Sequence, residues 1–289
     1  MIWVNALVQG VLLGGLYALL AAGLSLMFGV MRIVNLAHGT LALGAAYLGY
    51  VLVDSTGVSP FVALVVVVPV MAVVGYTIQW GLLNRALAMG GLAPLLATFG
   101  VAIVLAQLLQ ETFSADSRTL QVGTIGIRSF SIGDDIFVGW LQLIILGTGI
   151  AVIVGLQLFL SRTGTGRAMR ACSDDVETAR LMGIDSRHMY AVAASLAIAT
   201  VGLAGMFQGM RTQFAPASGD MLLIFAFEAV IIGGLGSLWG TLLGAVTLGV
   251  AQVVGAQVDP SYGVLIGHLV FLSVLAFRPT GLLPKMVTA

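Results

Sequence analysis

The chain has 289 residues, of which 59% are hydrophobic and only 8% are charged, whereas an ordinary soluble domain carries roughly 25% charged residues. This composition cannot build a surface that faces water, so soluble enzymes and soluble binding domains are excluded. Basic and acidic side chains both total 12, and without a basic block the sequence offers nothing to bind nucleic acid.

Apolar runs recur along the whole chain, and each is near the roughly 20 residues needed to cross a bilayer. We predict helical spans at residues 5–30, 38–53, 59–83, 92–112, 137–160, 189–210, 221–235, 237–256 and 262–278. No basic segment precedes the first run, and it is longer than the apolar core of a cleavable signal peptide, so we interpret it as a retained helix. The predicted fold is an all-α polytopic membrane protein in one domain, with about 8–9 transmembrane helices.

Arginines in the short loops predict the orientation of the chain. Arg85 lies in one loop, and residues 161–188 hold a larger group: Arg162, Arg167, Arg170, Arg180 and Arg187. Both loops are expected to face the cytoplasm, which places residues 112–136 and the N-terminus outside. The C-terminus, with Arg278 and Lys285, is then cytoplasmic. Nine passes satisfy this alternation, and eight passes plus a re-entrant segment are the alternative.

Glycine, with 38 residues, favours close helix packing at spacings such as Gly10/Gly14 and Gly240/Gly244. Two apolar stretches are interrupted more specifically, at residues 35–39 and 233–237. Paired glycine-broken or re-entrant segments point to the solute site of a transporter, because freed backbone groups can face the solute. The two breaks do not lie at equivalent positions in the two halves of the chain, so they are only weak evidence for an internal repeat.

Polar side chains in or near these breaks are the predicted substrate-pathway residues: Asn35, His38, Glu228, Gly233, Gly234, Gly236 and Ser237. Asn35 and His38 could bind a zwitterion or a carboxylate. The alternative is that they satisfy backbone groups that the break frees. Cys172, His188 and His268 are too isolated in sequence to predict a metal site or a catalytic group.

Glu228 lies inside an apolar run, where an unpaired carboxylate at the bilayer centre costs at least about 2.5 kcal/mol. Three explanations are open: a hydrogen bond to another subunit, protonation in a buried site, or contact with the amine of a passing solute. We prefer the subunit interface.

Residues 161–188 are the longest polar insertion on the arginine-rich side. Residues 170–184 predict one short amphipathic helix that ends at Gly183, and such a helix can dock in a groove of another protein. The spacing of Glu177, Ala179 and Gly183 resembles the loop with which ABC importer permeases contact their ATPases, although a merely solvated loop is the alternative. The predicted coupling residues are Arg167, Arg170, Asp174, Asp175, Glu177, Ala179, Arg180 and Gly183.

Three regions together resemble the LivH-type branched-chain amino acid permease family. The first has Leu-Gly-Gly-Leu-Tyr-Ala-Leu at 13–19, Phe-Gly-Val at 28–30, Asn-Leu-Ala-His-Gly at 35–39 and Gly-Ala-Ala-Tyr at 44–47. The second has Ser-Arg-Thr-Gly-Thr-Gly-Arg-Ala-Met-Arg-Ala-Cys at 161–172 and Leu-Met-Gly-Ile at 181–184. The third has Gly-Gly-Leu-Gly-Ser at 233–237 and Arg-Pro-Thr-Gly-Leu at 278–282. They follow the order of the family and cover most of the chain.

The resemblance implies an importer of branched-chain or other hydrophobic amino acids in the bacterial inner membrane. It implies a second LivM-type permease, two ABC ATPases and an external solute-binding protein as partners. The only lysine, Lys285, is followed by Met286, so this chain lacks the Gly-Lys-Ser/Thr of a P-loop. ATP and magnesium are therefore expected on the ATPases, with no cofactor here. The alternatives are a urea, amide or organic-acid permease of this family, or an ion-coupled secondary transporter, against which the polar loop argues.

Overall fold

The computed structural model describes residues 2–132 and 136–283. Helices and one β-hairpin, β1 (Ser129–Ile132) with β2 (Ile136–Gly139), make up the regular structure of this part of the chain. The helices in chain order are α1 (Ile2–Met31), α2 (His38–Thr56), α3 (Pro60–Ile78), α4 (Asn84–Met89), α5 (Ala93–Phe113), α6 (Thr124–Ile127), α7 (Trp140–Arg162), α8 (Gly164–Asp174), α9 (Val176–Leu181), α10 (Ser186–Arg211), α11 (Gly219–Gly233), α12 (Leu238–Val258) and α13 (Tyr262–Phe277). A π-helical turn, Gln79–Leu83, joins α3 to α4, and a 3₁₀ turn, Pro216–Ser218, precedes α11.

The all-α membrane fold is confirmed, because every predicted span coincides with a helix to within a few residues. Within the described residues, seven helical segments are long and apolar enough to cross a bilayer. They are Ile2–Met31, Pro60–Met89, Ala93–Phe113, Trp140–Arg162, Ser186–Arg211, Pro216–Gly233 and Leu238–Val258. The apolar helix α13 is shorter, with 16 residues. Strand β1 lies in the predicted polar loop, whereas β2 takes up the first three residues of the span predicted over 137–160, and the helix there begins at Trp140. The hairpin does not change the fold class.

Helix α1 forms the centre of the bundle. Of its most apolar 18-residue stretch 89% is buried, against 67% for α10 and only 17% for α5. Helices α10, α12, α7 and α11 surround α1, whereas α3, α5 and α7 turn much of their surface outward. A helix that is hydrophobic on all sides is expected at such a central position.

Glycines let α12 approach α1 and α11 at backbone distance, as the glycine spacing predicts. A Cβ atom added to Gly14 would lie 2.6 Å from the Val246 Cα atom. One added to Gly244 would lie 2.1 Å from the carbonyl oxygen of Ala229. Side chains larger than hydrogen are therefore excluded from both crossings, which hold the core of the bundle together.

The two ends of the bundle differ in charge. One end, where α1, α7 and α11 finish and α10 and α12 begin, is here called the arginine-rich end. Its arginines are Arg32, Arg85, Arg162, Arg167, Arg170, Arg180, Arg187 and Arg278. The other arginines, Arg118, Arg128 and Arg211, lie at the opposite end with the β-hairpin, which we call the hairpin end.

At the hairpin end, the loop after α5 is fastened to the helices. The backbones of Arg118 and Phe214 exchange two hydrogen bonds of 2.9 Å. The Phe137 N–H donates to Asn5 Oδ1 at 3.4 Å, and Gln9 Nε2 donates to the Phe137 carbonyl. These contacts fasten the loop to the end of α10 and the hairpin to the start of α1.

Candidate functional site

The polar segment between α7 and α10 contains two helices, so the prediction of one helix over residues 170–184 is wrong. The chain is extended at Asp175, with φ −149° and ψ 107°. Its carboxylate accepts hydrogen bonds from the N–H groups of Glu177 at 3.0 Å and Thr178 at 3.1 Å. The Thr178 hydroxyl donates to it as well, at 2.6 Å. Asp175 therefore ends α8 and caps the N-terminus of α9, the role for which aspartate is preferred.

Gly183 ends the second helix, as its position in the sequence predicts. Its φ angle is +81°, in the left-handed region that glycine adopts without steric cost. The Gly183 N–H donates to the Arg180 carbonyl at 2.9 Å, and the Ile184 N–H donates to the Ala179 carbonyl at 3.1 Å. This turn leaves Leu181 87% and Met182 78% exposed.

Several of the predicted coupling residues fasten the segment to its neighbours. On α9, Arg180 forms an ion pair with Glu177 at 3.2 Å and donates from Nε to the Ser186 hydroxyl of α10 at 3.0 Å. On α8, Arg170 donates to the Ser161 carbonyl at 3.5 Å and Arg167 to the Arg162 carbonyl at 3.3 Å. Both bonds run to the last turn of α7.

The remaining coupling residues show which face of the segment looks inward. Ala179 is 4% exposed, whereas Asp174 lies on the exposed side at the end of α8. A neighbouring residue, Ser173, donates its hydroxyl to the Gly29 carbonyl of α1 at 2.6 Å. The segment formed by α8, α9 and the Gly183 turn, which we call the coupling segment, therefore contacts α1, α7 and α10.

We expect Asp175→Ala to loosen α9 and Asp175→Asn to preserve it, because an asparagine oxygen accepts the same N–H bonds. The pKa of the Asp175 carboxyl lies below its ordinary value, since the Thr178 hydroxyl, the Thr178 N–H and the Glu177 N–H donate to the charged form. The cap of the wild type is therefore complete above about pH 4 and is lost as the pH falls through the lowered pKa.

Hydrogen exchange at α9 measures this expectation. The amides of Glu177 and Thr178 should exchange faster in Asp175→Ala than in the wild type at neutral pH, and about as slowly in Asp175→Asn. In the wild type, protection corrected for intrinsic rates should decline only at acidic pH. Equal protection in the alanine variant would show that the cap does not hold α9.

The second glycine break is closed by contacts within the chain. The carbonyl groups of Ile232 and Gly233, freed at the end of α11, accept from the N–H groups of Leu282 at 2.8 Å and Leu283 at 2.9 Å. Gly234 has a φ angle of +112°. These contacts give Gly233 and Gly234 a structural role at the arginine-rich end.

The remaining residues of this break border a cavity. Gly236 packs on Gly29 of α1, and Ser237 caps α12 by accepting from the Gly240 N–H at 3.1 Å. The cavity has a volume of about 200 Å³ and lies between α1, α7, α8 and the start of α12. Its polar lining consists of Ser25, Gln157, Ser161, Arg170 and Ser237. The structure thus brings a predicted coupling residue, Arg170, together with two predicted pathway residues.

The first break folds back along α1. His38 is fully buried, and its Nε2 donates to the Leu20 carbonyl at 2.7 Å, roughly three helical turns before the end of α1. Asn35 Oδ1 accepts from the Ala37 N–H at 3.0 Å, and the Leu36 N–H donates to Thr98 Oγ1 at 3.2 Å. Helix α2 therefore starts inside the bundle. The observed contacts of Asn35 and His38 support the broken backbone, and direct solute contact remains a prediction for both.

Glu228 bonds to a histidine of its own chain, a possibility absent from the three sequence-based explanations. The residue is 3% exposed, and its Oε1 lies 2.5 Å from His268 Nδ1 on α13. Its Oε2 has no hydrogen-bond partner among the described residues. Phe225 stacks on the His268 ring with centroids 6.4 Å apart and packs at a tilt against Tyr17 of α1, with centroids 5.1 Å apart. The Tyr17 hydroxyl donates to Gln252 Oε1 at 2.5 Å. Phe225 thus lies between two polar pairs, one that joins α11 to α13 and one that joins α1 to α12.

Sequence reasoning missed His268, because 40 residues separate it from Glu228 and no spacing rule connects two different helices. The available signal was an ionisable residue in each of two apolar runs, 221–235 and 262–278, which a third apolar run separates. The predicted pathway residues therefore fall into three separate places. Asn35 and His38 lie beside α1, Glu228 lies at the contact of α11 with α13, and the residues of the second break lie at the arginine-rich end.

The family model described as "Branched-chain amino acid transport system / permease component" matches residues 6–275. The high-affinity branched-chain amino acid transport system permease protein BraD of Pseudomonas aeruginosa is 31% identical, over 98% of this chain and 96% of that protein. The probable branched-chain amino acid transport permease protein LivH of Methanocaldococcus jannaschii is 27% identical, over 94% and 90% of the two chains.

Among solved structures, PsaBC from Streptococcus pneumoniae in complex with Fab superposes with a TM-score of 0.51. The match covers 96% of this chain and 93% of that one at 14% identity, so it supports the fold alone. The two permease relatives and the family model span nearly the whole chain. This multi-pass membrane protein is a transport permease, and it belongs to the family of branched-chain amino acid transport system permease components.

Proposed function

We propose that this chain imports branched-chain or other hydrophobic amino acids together with a second LivM-type permease, two ABC ATPases and a solute-binding protein. The family match and the names of the two permease relatives support the substrate class. The arginine-rich end faces the cytoplasm in this proposal, because arginine in short loops is retained on that side. The hairpin end then faces the solute-binding protein, and ATP and magnesium are bound by the ATPases.

The observation that carries the proposal is the exposed pair Leu181 and Met182. Two adjacent large apolar side chains, 87% and 78% exposed, stand outside the bilayer on a segment that is otherwise polar. Exposed apolar surface of this kind marks a contact with another protein. The Asp175 cap and the Gly183 turn hold the pair in one place, as a docking contact requires. The groove of an ATPase is the occupant that we propose.

The contacts of the coupling segment suggest how ATP hydrolysis moves the permease. Ser173 joins α8 to α1, and Arg180 joins α9 to α10. Helices α1 and α10 are the two most buried of the long helices, so a displacement of the coupling segment reaches the centre of the bundle directly. In the proposed mechanism, closure of the two ATPases shifts the coupling segment. The tilt of α1 and α10 that follows opens the solute pathway alternately to the two sides.

Affinity purification of the tagged chain from its native membrane, followed by mass spectrometry, tests the proposal. We expect two ATPases and a second permease to co-purify with the wild type. The double variant Leu181→Ser/Met182→Ser should lose the ATPases and keep the second permease. The matched control is Met89→Ser/Leu92→Ser, since these residues are 78% and 70% exposed at the same end. The control should retain every partner.

Three outcomes would count against the proposal. A homo-oligomer without ATPases would favour an ion-coupled secondary transporter. Equal loss of the ATPases in both double variants would show that general apolar surface, and not the coupling segment, holds them. Full retention in Leu181→Ser/Met182→Ser would remove the coupling segment from the ATPase contact.

A further inference from the structure

We propose that the cavity between α1, α7, α8 and α12 is a second amino-acid site, at which the imported solute binds from the cytoplasm and arrests the transport cycle. The inference rests on the proposed function for its orientation and for the identity of the solute. It adds a binding site and a form of regulation that the proposed import cycle does not require.

One wall of the cavity suits a carboxylate. Arg170 stands there with an exposed guanidinium, whose hydrogen bond within the described residues is a long one of 3.5 Å to the Ser161 carbonyl. The start of α12 lines the same space through Ser237, Leu238 and Trp239. Ser237 already accepts from the Gly240 N–H, but the other first N–H groups of a helix have no partner within the helix and carry its positive end, so they bind anions.

A buried hydroxyl supplies an independent sign that the cavity receives a polar ligand. Ser25 lines the cavity from α1 and is 1% exposed, yet its Oγ has no hydrogen-bond partner among the described residues. Buried polar side chains in native proteins are nearly always paired, and each unpaired one requires an explanation. A ligand in the cavity supplies the missing partner for Ser25. The nearby Gln157 amide, which also lines the cavity, is placed to add a second hydrogen bond.

The opposite sign of charge is present in the same cavity. The last turns of α1 and α7 reach it through Val30 and Leu160, and the end of a helix presents carbonyl groups that carry a partial negative charge. A ligand with both a carboxylate and an ammonium group therefore matches the two walls better than a simple anion does. The volume of about 200 Å³ is below the roughly 300–1,000 Å³ of pockets for drug-sized ligands, and it suits a ligand of the size of a single amino acid.

The regulatory effect follows from the position of the walls. Arg170 belongs to the coupling segment, whereas Ser25 and Ser237 belong to α1 and to the start of α12. A ligand that contacts all three stabilises the arrangement in which they surround it, and a ligand shifts a conformational equilibrium toward the state that it binds best. Amino acid that accumulates in the cytoplasm would thus hold the coupling segment in its present place and slow further uptake.

Uptake into proteoliposomes that contain the complete transporter, with ATP enclosed, tests this inference. Labelled L-leucine is supplied outside, and the vesicles are either empty of solute, preloaded with L-leucine, or preloaded with leucinol, which lacks the carboxylate. We expect leucine preloading to slow the initial rate by at least about fivefold, the lower end of the usual coupling between two sites. Leucinol should leave the rate unchanged.

Variants separate the cavity from the transport pathway. Ser25→Ala/Gln157→Met should take up leucine into empty vesicles at the wild-type rate and lose most of the inhibition by preloaded leucine. Thr148→Ala is the control on α7, because within the part of the chain that the structure describes the Thr148 hydroxyl bonds to the Ile144 carbonyl one turn away. This variant should remain inhibited. Equal inhibition of the double variant and the wild type would overturn the inference, as would equal inhibition by leucinol and leucine.

Failure of the proposed function has a different signature. If empty vesicles take up no leucine, the solute or the class of transporter is wrong, and thermal melting of the purified transporter then decides whether the site exists. A rise in Tm with leucine, but not with leucinol or sulfate, that disappears in Ser25→Ala/Gln157→Met would support the amino-acid site. An equal rise with sulfate, or no rise with any of the three, would overturn it.

Discussion

Replacing Gly183 with valine is expected to abolish ATP-driven uptake while the chain still folds and keeps the second permease. Valine in the left-handed conformation of Gly183, where φ is +81°, costs about 1–2 kcal/mol, close to the 1.4 kcal/mol that changes an equilibrium tenfold. The turn after α9 would therefore open and misplace Leu181 and Met182. The measurements are leucine uptake in proteoliposomes and recovery of the partner subunits on purification.

Two further variants identify the cause of such a defect. A Cβ atom at Gly183 meets no atom of the described residues within 4 Å, so Gly183→Asn keeps the turn, which asparagine tolerates, and adds only a side chain on the outside. Near-normal uptake in Gly183→Asn would assign the valine defect to the turn, and loss in both would assign it to close contact with the ATPase. Gly57→Val is the matched control, since Gly57 also has a positive φ angle, +71°, in open space after α2. Normal uptake in Gly183→Val would remove this turn from the coupling mechanism.

Removal of the Glu228 side chain should destabilise the permease before it alters solute affinity. Glu228→Ala leaves His268 without its partner and opens space in the contact of α11 with α13. We expect a loss of about 2 kcal/mol, within the usual range for a buried hydrogen-bonding group that loses its partner, and no more than that because the His268 side chain is 36% exposed. Glu228→Gln retains an oxygen that accepts from Nδ1 and should cost only about 1 kcal/mol, as for an ordinary hydrogen bond.

A double-mutant cycle measures whether the two side chains act as a pair. Unfolding of Glu228→Ala, His268→Ala and the double variant is followed in a denaturing detergent. The His268 substitution should cost at least about 1 kcal/mol less when Glu228 is already absent, which lies within the usual range for contacting residues. Additive costs would show that the contact contributes nothing. Unchanged stability and unchanged uptake in Glu228→Gln would also remove this acid from the pathway and from any subunit interface.

The membrane helices could be predicted from sequence because the thickness of the bilayer sets their length. A run of about 20 apolar residues has that length and is visible in the sequence. The polar segment was predicted less well. Residues 170–184 have the spacing of one helix, but the Asp175 side chain competes with the helical hydrogen bonds, and only the structure shows that it caps a second helix. The ending at Gly183 was predictable, because a glycine after a short helix is a local signal.

The site was harder to predict, since it depends on contacts between helices that are distant in sequence. Arg170 and Ser237 border one cavity, yet nothing in either motif indicates the other. The pairing of Glu228 with His268 has the same origin. His38 shows a further limit, because a break after an apolar run predicts a polar loop, whereas this one returns into the bundle and bonds to Leu20. Single-sequence patterns describe one element at a time, and the site arises where elements meet.

The central position of α1 has a consequence for how the protein is made. This helix is synthesised before the other described helices, and the α12 backbone against which Gly14 packs follows roughly 230 residues later. At a synthesis rate of about 5–20 residues per second, α1 waits in the membrane for about 10–50 s before α12 exists. During that time its glycine face has only lipid or the insertion machinery as a neighbour. Translation interrupted in that interval would leave α1 without its partner helix and expose it to the proteases of membrane quality control. The bundle can close around its centre only after α12 has been inserted.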